Sequence, residues 1–188
     1  NAATALAALQ VMAQRGLSLS PDALDTGFRS VRWPGRMEVL GRAPLLVADG
    51  AHNPYSAGRL LEALKECFEF RRLIGVVGVL EDKGLEGIAQ ELAKGLSIAV
   101  ATRSRHPRSA SPAIVAAAFR RADVEAQEVD ATDDALEHAL GLANEDDLVV
   151  VTGSLFVVAE AREAVLGISP ETYPSLLPGE VHSSKRHG

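Results

Sequence analysis

Two short stretches carry residues that could act together chemically: Trp33-Pro34-Gly35-Arg36 and Asp49-Gly50-Ala51-His52-Asn53-Pro54. Asp49 follows an apolar run, and the glycine behind it permits close backbone approach, so its carboxylate can accept ribose hydroxyls. His52 can donate to a phosphate or carboxylate, or simply to a loop carbonyl. Arg36 sits in a Pro-Gly-Arg turn that would aim a planar guanidinium into an interdomain cleft. Phosphate is the natural ligand there, and a surface salt bridge is the plainer use. Two further positions suit a carboxylate. Lys83, in Glu81-Asp82-Lys83-Gly84, offers charge, and Ser154, in Thr152-Gly153-Ser154-Leu155, offers a hydroxyl at a helix start. Their plainer uses are a solvated loop lysine and an N-cap.

These residues need a scaffold that gathers them, and the hydrophobic pattern supplies one. Apolar runs at 45–48, 73–80, 98–101 and 148–151 read as buried strands, with shorter strands at 37–40 and 125–129. Residues 41–44 read as a hairpin turn. Helical spacing appears after Pro54 and at 85–94, 112–121, 133–143 and 155–165. Asn53 is placed to cap the first of these and Pro54 to open it, leaving the free N–H groups of that turn facing a ligand crevice. Cys67 falls on the apolar stripe of the same helix with Leu60, Leu61, Leu64 and Phe68, and reads as a buried structural thiol. Alternation of apolar strands with amphipathic helices predicts an α/β, Rossmann-like domain with a mostly parallel sheet covered on both faces. In such sheets ligands bind outside the carboxyl ends of the strands. Asp49, His52, Asp82, Lys83, Thr102, Arg103, Thr152 and Ser154 all follow strands.

The composition narrows the chemistry. The chain has 188 residues, 47% hydrophobic and 4% aromatic, with a net charge of −6. That balance argues against a nucleic-acid partner, and no apolar run has the ~20 residues of a membrane span. One cysteine and no signal-peptide pattern fit a cytoplasmic setting. There is no G-x-x-x-x-G-K-[ST] P-loop, and no G-x-G-x-x-G follows the first strand. Thr-Gly-Ser-Leu-Phe is not the G-x-S-x-G elbow of a hydrolase. His106 has no partner at ligand spacing, and no His/Cys cluster marks a metal site.

Ahead of the alternating pattern, residues 1–14 and 20–28 read as two short helices, with Gly16 stopping the first and Ser20-Pro21-Asp22 opening the second. The chain begins at Asn1 without an initiator Met and reads as a piece of something longer. The expected organisation is therefore 1–32 as the end of an upstream domain, 33–168 as the α/β domain, and 169–188 as a disordered tail.

The order and spacing of Trp33-Pro34-Gly35-Arg36, Asp49-Gly50-Ala51-His52-Asn53-Pro54, Asp82-Lys83 and Thr152-Gly153-Ser154-Leu155 resemble the C-terminal part of folylpolyglutamate synthase/dihydrofolate synthase, in the Mur ligase superfamily. The family usually continues Asp-Lys-Asp where this chain has Gly84, which sets Lys83 apart from the other matches. The resemblance implies an ATP-dependent ligase that joins L-glutamate to a dihydropteroate or folate carboxylate through an acyl phosphate. It implies that Asn1 contacts adenine, Arg36 the phosphates and Asp49 the ribose, with His52 ordering nucleotide or amino acid, and Ser154 and Lys83 holding glutamate. Mg2+ and the P-loop would lie in the upstream domain, so the fragment alone is expected to be inactive. A Mur-type ligase for another acceptor, and a non-catalytic module that binds a nucleotide or a partner protein, are the competing readings.

Overall fold

The structure, a computed structural model, describes residues 2–170. The expectations for Asn1 and for all but the first two residues of the tail fall outside the described residues. By its contacts the chain divides into two units, Asn1–Pro34 and Gly35–Gly188.

The first unit holds α1 (Ala2–Gln14) and α2 (Pro21–Ser30). Ser20 caps α2 by accepting from Ala23 N at 3.1 Å, and Pro21 occupies the first position, where a missing N–H costs nothing. Neither helix has a buried residue.

The second unit is the α/β domain. Its elements are β1 (Glu38–Arg42), β2 (Leu45–Ala48), α3 (Pro54–Cys67), β3 (Leu73–Val77), α4 (Leu85–Ala93), β4 (Ile98–Ala101), α5 (Pro112–Arg121), β5 (Glu125–Glu128), α6 (Thr132–Leu142), β6 (Leu148–Thr152) and α7 (Leu155–Leu166). The strands form one sheet in the order β1-β2-β6-β3-β4-β5, parallel except for β1, which pairs antiparallel with β2. Successive side chains along each strand point to opposite faces, and each face has its own core. On one side Val47, Val77, Leu148 and Val150 pack with Leu60, Leu64, Ile88, Leu92 and Phe119 of α3, α4 and α5. On the other, Leu46, Ile74, Val76, Val149 and Val151 pack with Leu136 and Ala139 of α6 and with Val157, Val158 and Ala161 of α7. Strands buried on both faces need continuous apolar runs, which is why the runs were readable.

Three local expectations are corrected. The hairpin turn is only Ala43 and Pro44, because Gly41 and Arg42 remain paired with Leu46 and Leu45. The third strand stops at Val77 rather than Leu80, since Leu80 leaves the parallel ladder to bridge Ser109. Cys67 is exposed rather than buried. It is the last residue of α3, where Leu60, Leu61 and Leu64 already carry the burial and Phe68 N turns back to Leu64 O.

Candidate functional site

The neighbouring strands β2 and β6 send their following helices, α3 and α7, to opposite faces of the sheet. Divergence of that kind opens a crevice at the carboxyl edge, where α/β proteins bind ligands. The loops at this crevice are 49–53 and 153–154, and they are stitched together. Gly153 N donates to Ala51 O at 2.9 Å, and Thr152 Oγ1 reaches the same carbonyl at 3.4 Å. A Cβ on Gly50 would press on the Leu155 side chain, so glycine there lets the two loops pack closely with Leu155 in place.

Asp49 organises the crevice from within. Its Oδ2 accepts from Met37 N at 3.0 Å and its Oδ1 from Ala51 N at 2.9 Å, with the residue 8% exposed. The carboxylate thus pins its own loop to the 35–37 turn. Gly50 N adds a bond to Gly35 O at 2.8 Å, while Glu38 Oε2 accepts from both Gly35 N and Arg162 Nε at 2.7 Å. Held between Gly35 (φ 68°) and Met37 (φ 45°), Arg36 is fixed by its backbone alone. Its guanidinium is exposed and makes no ion pair or hydrogen bond among the described residues. The plainer salt-bridge use of Arg36 is therefore not realised there. Removing the Asp49 carboxylate (Asp49→Ala) leaves two backbone N–H groups unpaired and should lower stability by about 1–3 kcal/mol. Urea unfolding of the chain measures this, and an unchanged midpoint would mean the two N–H groups do not need the carboxylate.

His52 Nδ1 lies 2.8 Å from Gly50 O, which requires the proton on Nδ1 and leaves Nε2 as the outward-facing nitrogen. Asn53 caps α3, accepting from Ser56 N at 2.8 Å. Ser56 Oγ in turn accepts from His52 N and Asn53 N, both at 3.1 Å, completing a capping box. This corrects the expectation of an open helix start: Pro54 lacks an N–H, and Asn53 takes Ser56 N on its side chain and Ala57 N on its carbonyl, at 2.8 and 2.9 Å. Ser56 is a residue that sequence reasoning passed over, although a serine three residues after the cap is its readable signal. Ser154 is also a cap, accepting from Phe156 N at 3.2 Å, and is buried, with its hydroxyl proton left to donate. Lys83 stands at the next strand end, 3.5 Å from Asp82 Oδ2, and its loop abuts α3, where a Cβ on Gly84 would lie 3.8 Å from Pro54 Cγ. Thr102 is fully buried and donates to Asp130 O at 3.1 Å, so it serves the fold.

A second group that the sequence did not reveal lies beyond β4. Glu160 of α7 is buried, accepting from Arg105 N at 2.8 Å and Thr132 Oγ1 at 2.9 Å. Burial pushes its carboxyl above the usual range, against those two hydrogen bonds. Phe156 stacks on His106 at 4.2 Å between ring centroids. Through these contacts α7 braces the 103–109 loop, beside a cleft of about 620 Å³. Among the described residues no group of three or more His, Cys, Asp or Glu could hold a metal ion, and no helix is long and apolar enough to cross a membrane.

Residues 35–155, which hold every strand of the sheet and end at the first residue of α7, match the Mur ligase, glutamate ligase domain family. The chain belongs to that family. Among its relatives is a probable bifunctional folylpolyglutamate synthase/dihydropteroate synthase from Halobacterium salinarum, 38% identical over 80% of this chain and 18% of that protein. Another is the dihydrofolate synthase/folylpolyglutamate synthase of Mycobacterium tuberculosis, 32% identical over 91% of this chain and 38% of that protein. The fold matches E. coli FolC solved in complex with DHPP and ADP, at a TM-score of 0.81 and 30% identity over 88% of this chain and 38% of that one. The chain thus spans between about a fifth and two fifths of the length of these relatives.

Proposed function

We propose that this chain is the closing, nucleotide- and glutamate-positioning domain of an ATP-dependent ligase that adds L-glutamate to dihydropteroate, folate or both through an acyl phosphate. In this reading the P-loop and the residues that hold Mg2+ belong to a part of the protein outside this chain, with residues 1–32 as the end of that part. The observation that carries the reading is Arg36. It is an exposed guanidinium with no ion pair or hydrogen bond among the described residues, on a turn beside the β2/β6 crevice and within a segment that matches a glutamate ligase domain. The E. coli relative was solved with ADP, and another bifunctional folylpolyglutamate synthase/dihydrofolate synthase with Mn, AMPPNP and L-glutamate bound, which supports both ligand classes.

The residues present suit a nucleotide. Arg36 offers a fork of donors for phosphate oxygens, and each Asp49 oxygen, having accepted one backbone N–H, keeps a lone pair for a ribose hydroxyl. His52, whose Nδ1 is held by Gly50 O, leaves its Nε2 for a ligand, while Ser154 can donate its proton to a glutamate carboxylate, and Lys83 can add charge. ATP supplies the phosphoryl group that activates the acceptor carboxylate. The work of this domain is then positioning, charge neutralisation and exclusion of water from the reacting groups. No group of three or more His, Cys, Asp or Glu among the described residues could hold Mg2+.

The test is Arg36→Ala in the full-length protein, with folate, glutamate and ATP as substrates. Loss of one charge-assisted contact to phosphate should lower kcat/KM for ATP about 10–100-fold, with partial recovery in Arg36→Lys. Thermal stability should not change, because the exposed side chain makes no ion pair or hydrogen bond among the described residues. Unaltered ATP kinetics would overturn the assignment.

A further inference from the structure

Among the strand-end loops, one side-chain cluster is built from two different loops and is half open to solvent. Asp82 Oδ2 lies 3.5 Å from Lys83 Nζ and 3.7 Å from Arg108 Nη1, so a single carboxylate oxygen stands between two cations. The backbones beneath are fixed. Leu80 and Ser109 form an antiparallel bridge, Glu81 N donates to Arg108 O at 3.0 Å, and Ala110 N donates to Val79 O at 2.9 Å. Lys83 N returns to Leu80 O at 3.1 Å, and the Glu160 contacts described above hold the far side of the Arg108 loop. The loop after β3 and the loop after β4 therefore present their cations at a set spacing.

The carboxylate between them is loosely held. Charge-assisted N–H to O bonds run at about 2.7–2.9 Å, and both separations here are longer. The side chains of Asp82, Lys83 and Arg108 are 51%, 35% and 55% exposed. Exposed pairs of this sort contribute about 0–1 kcal/mol, so the bridge is easily given up. With two cations and one carboxylate the cluster keeps a net positive charge, and an incoming carboxylate can take the Asp82 position with shorter, better-aligned bonds.

We propose that Asp82 is an internal stand-in for a substrate carboxylate: L-glutamate displaces it from Lys83 and Arg108, which makes Arg108 a second cationic arm of the amino-acid site and Asp82 a built-in competitor. The inference rests on the reading of Lys83 as a glutamate-binding residue. It separates two roles within one loop, since removing the competitor should tighten glutamate and removing the arm should weaken it. Asp82 thereby sets the concentration at which glutamate occupies the site, and selects for ligands whose carboxylate can outcompete a tethered one.

The experiment is calorimetric titration of L-glutamate into the full-length protein with ADP present, alongside glutamate KM in the ligase reaction. Asp82→Asn should bind glutamate about two- to tenfold tighter, the range expected on release of exposed ion pairs. Arg108→Met should bind at least tenfold more weakly, with KM for ATP unchanged in both variants. Arg108→Lys, which keeps the charge, should recover part of the affinity. If Asp82→Asn weakens glutamate binding or leaves it unchanged while the wild type binds, Asp82 is a scaffold for the cations and the exchange is refuted, with the glutamate reading intact. If neither the wild type nor Asp82→Asn binds glutamate, both the exchange and the glutamate reading fall.

Discussion

Gly153→Ala should destabilise the chain by about 2–6 kcal/mol, a large part of the ~5–15 kcal/mol that holds a domain folded. Two effects add. Gly153 has φ 96°, where an L side chain is strained by about 1–3 kcal/mol. Its Cβ would also stand 2.6 Å from Gly78 O and 3.0 Å from Val77 Cγ1. That carbonyl belongs to backbone and cannot turn aside. Gly78 N is bonded to Thr152 O at 3.3 Å, and a Cβ on Gly78 would itself meet Val157 and Thr102 O. Overpacking of this kind costs about another 1–3 kcal/mol. The displaced segment carries Gly153 N, which holds Ala51 O, and Ser154, so glutamate and nucleotide kinetics of the full-length protein should worsen with stability. Gly141→Ala is the matched control. It lies near the end of α6, where a Cβ meets nothing, and should gain about 0.5–1 kcal/mol from helix propensity. Urea unfolding of both variants decides the matter, and equal midpoints would refute the steric argument.

The Gly153 case marks what a sequence yields and what it withholds. Thr-Gly-Ser-Leu was readable as a strand end followed by a helix start, because the apolar run of β6 and the serine cap are local signals. The collision with Gly78 was not readable, since it depends on β6 being inserted between β2 and β3. Asp49 behaves in the same way. Its place after β2 was legible, but its bond to Met37 crosses 12 residues and its loop needs the positive φ of Met37. Single-sequence periodicity carries no such pairing information. The brace from Glu160 to Arg105 spans 55 residues, and the pair Arg162–Glu38 spans 124. Each looks like ordinary surface polarity until the sheet order is known. Cys67 failed for the opposite reason. Helical spacing puts Cys67 on the stripe, yet as the last residue of α3 it is exposed, while Phe68 just beyond it still packs against the core. The Asp82, Lys83 and Arg108 cluster combines both situations: Lys83 was visible from its motif, and Arg108 comes within reach only through the Leu80–Ser109 bridge.

At the opposite edge of the sheet, Asp147→Ala should cost about 1–3 kcal/mol, because it leaves Asn144 N and the partly exposed Arg72 guanidinium without their acceptor. The Asp147 side chain is fully buried, and its Oδ2 accepts from Arg72 Nη2 at 2.6 Å, Arg72 Nε at 3.1 Å and Asn144 N at 2.8 Å. Arg72 O also accepts from Leu148 N at 2.9 Å, so the cluster registers the starts of β3 and β6, the two central strands. The Arg72 guanidinium, with help from Asn144, holds the Asp147 carboxyl well below the usual carboxylate range despite its burial. A depressed folded-state value means the stabilisation is fully present above the unfolded value of about 3.9 and is lost as pH falls below it. Wild-type stability should therefore fall steeply between about pH 5 and pH 2, and Asp147→Asn, which keeps the shape without the titration, should be less stable at pH 7 but flatter across that window. Urea unfolding at a series of pH values measures both slopes, and parallel curves would assign acid sensitivity to other carboxylates. Because this cluster and the β2/β6 crevice lie at opposite ends of the strands, Asp147→Asn should leave the kinetics of the folded full-length protein unchanged at neutral pH. Gly153→Ala should change both. That contrast separates the residues that hold the sheet together from those that shape its ligand edge.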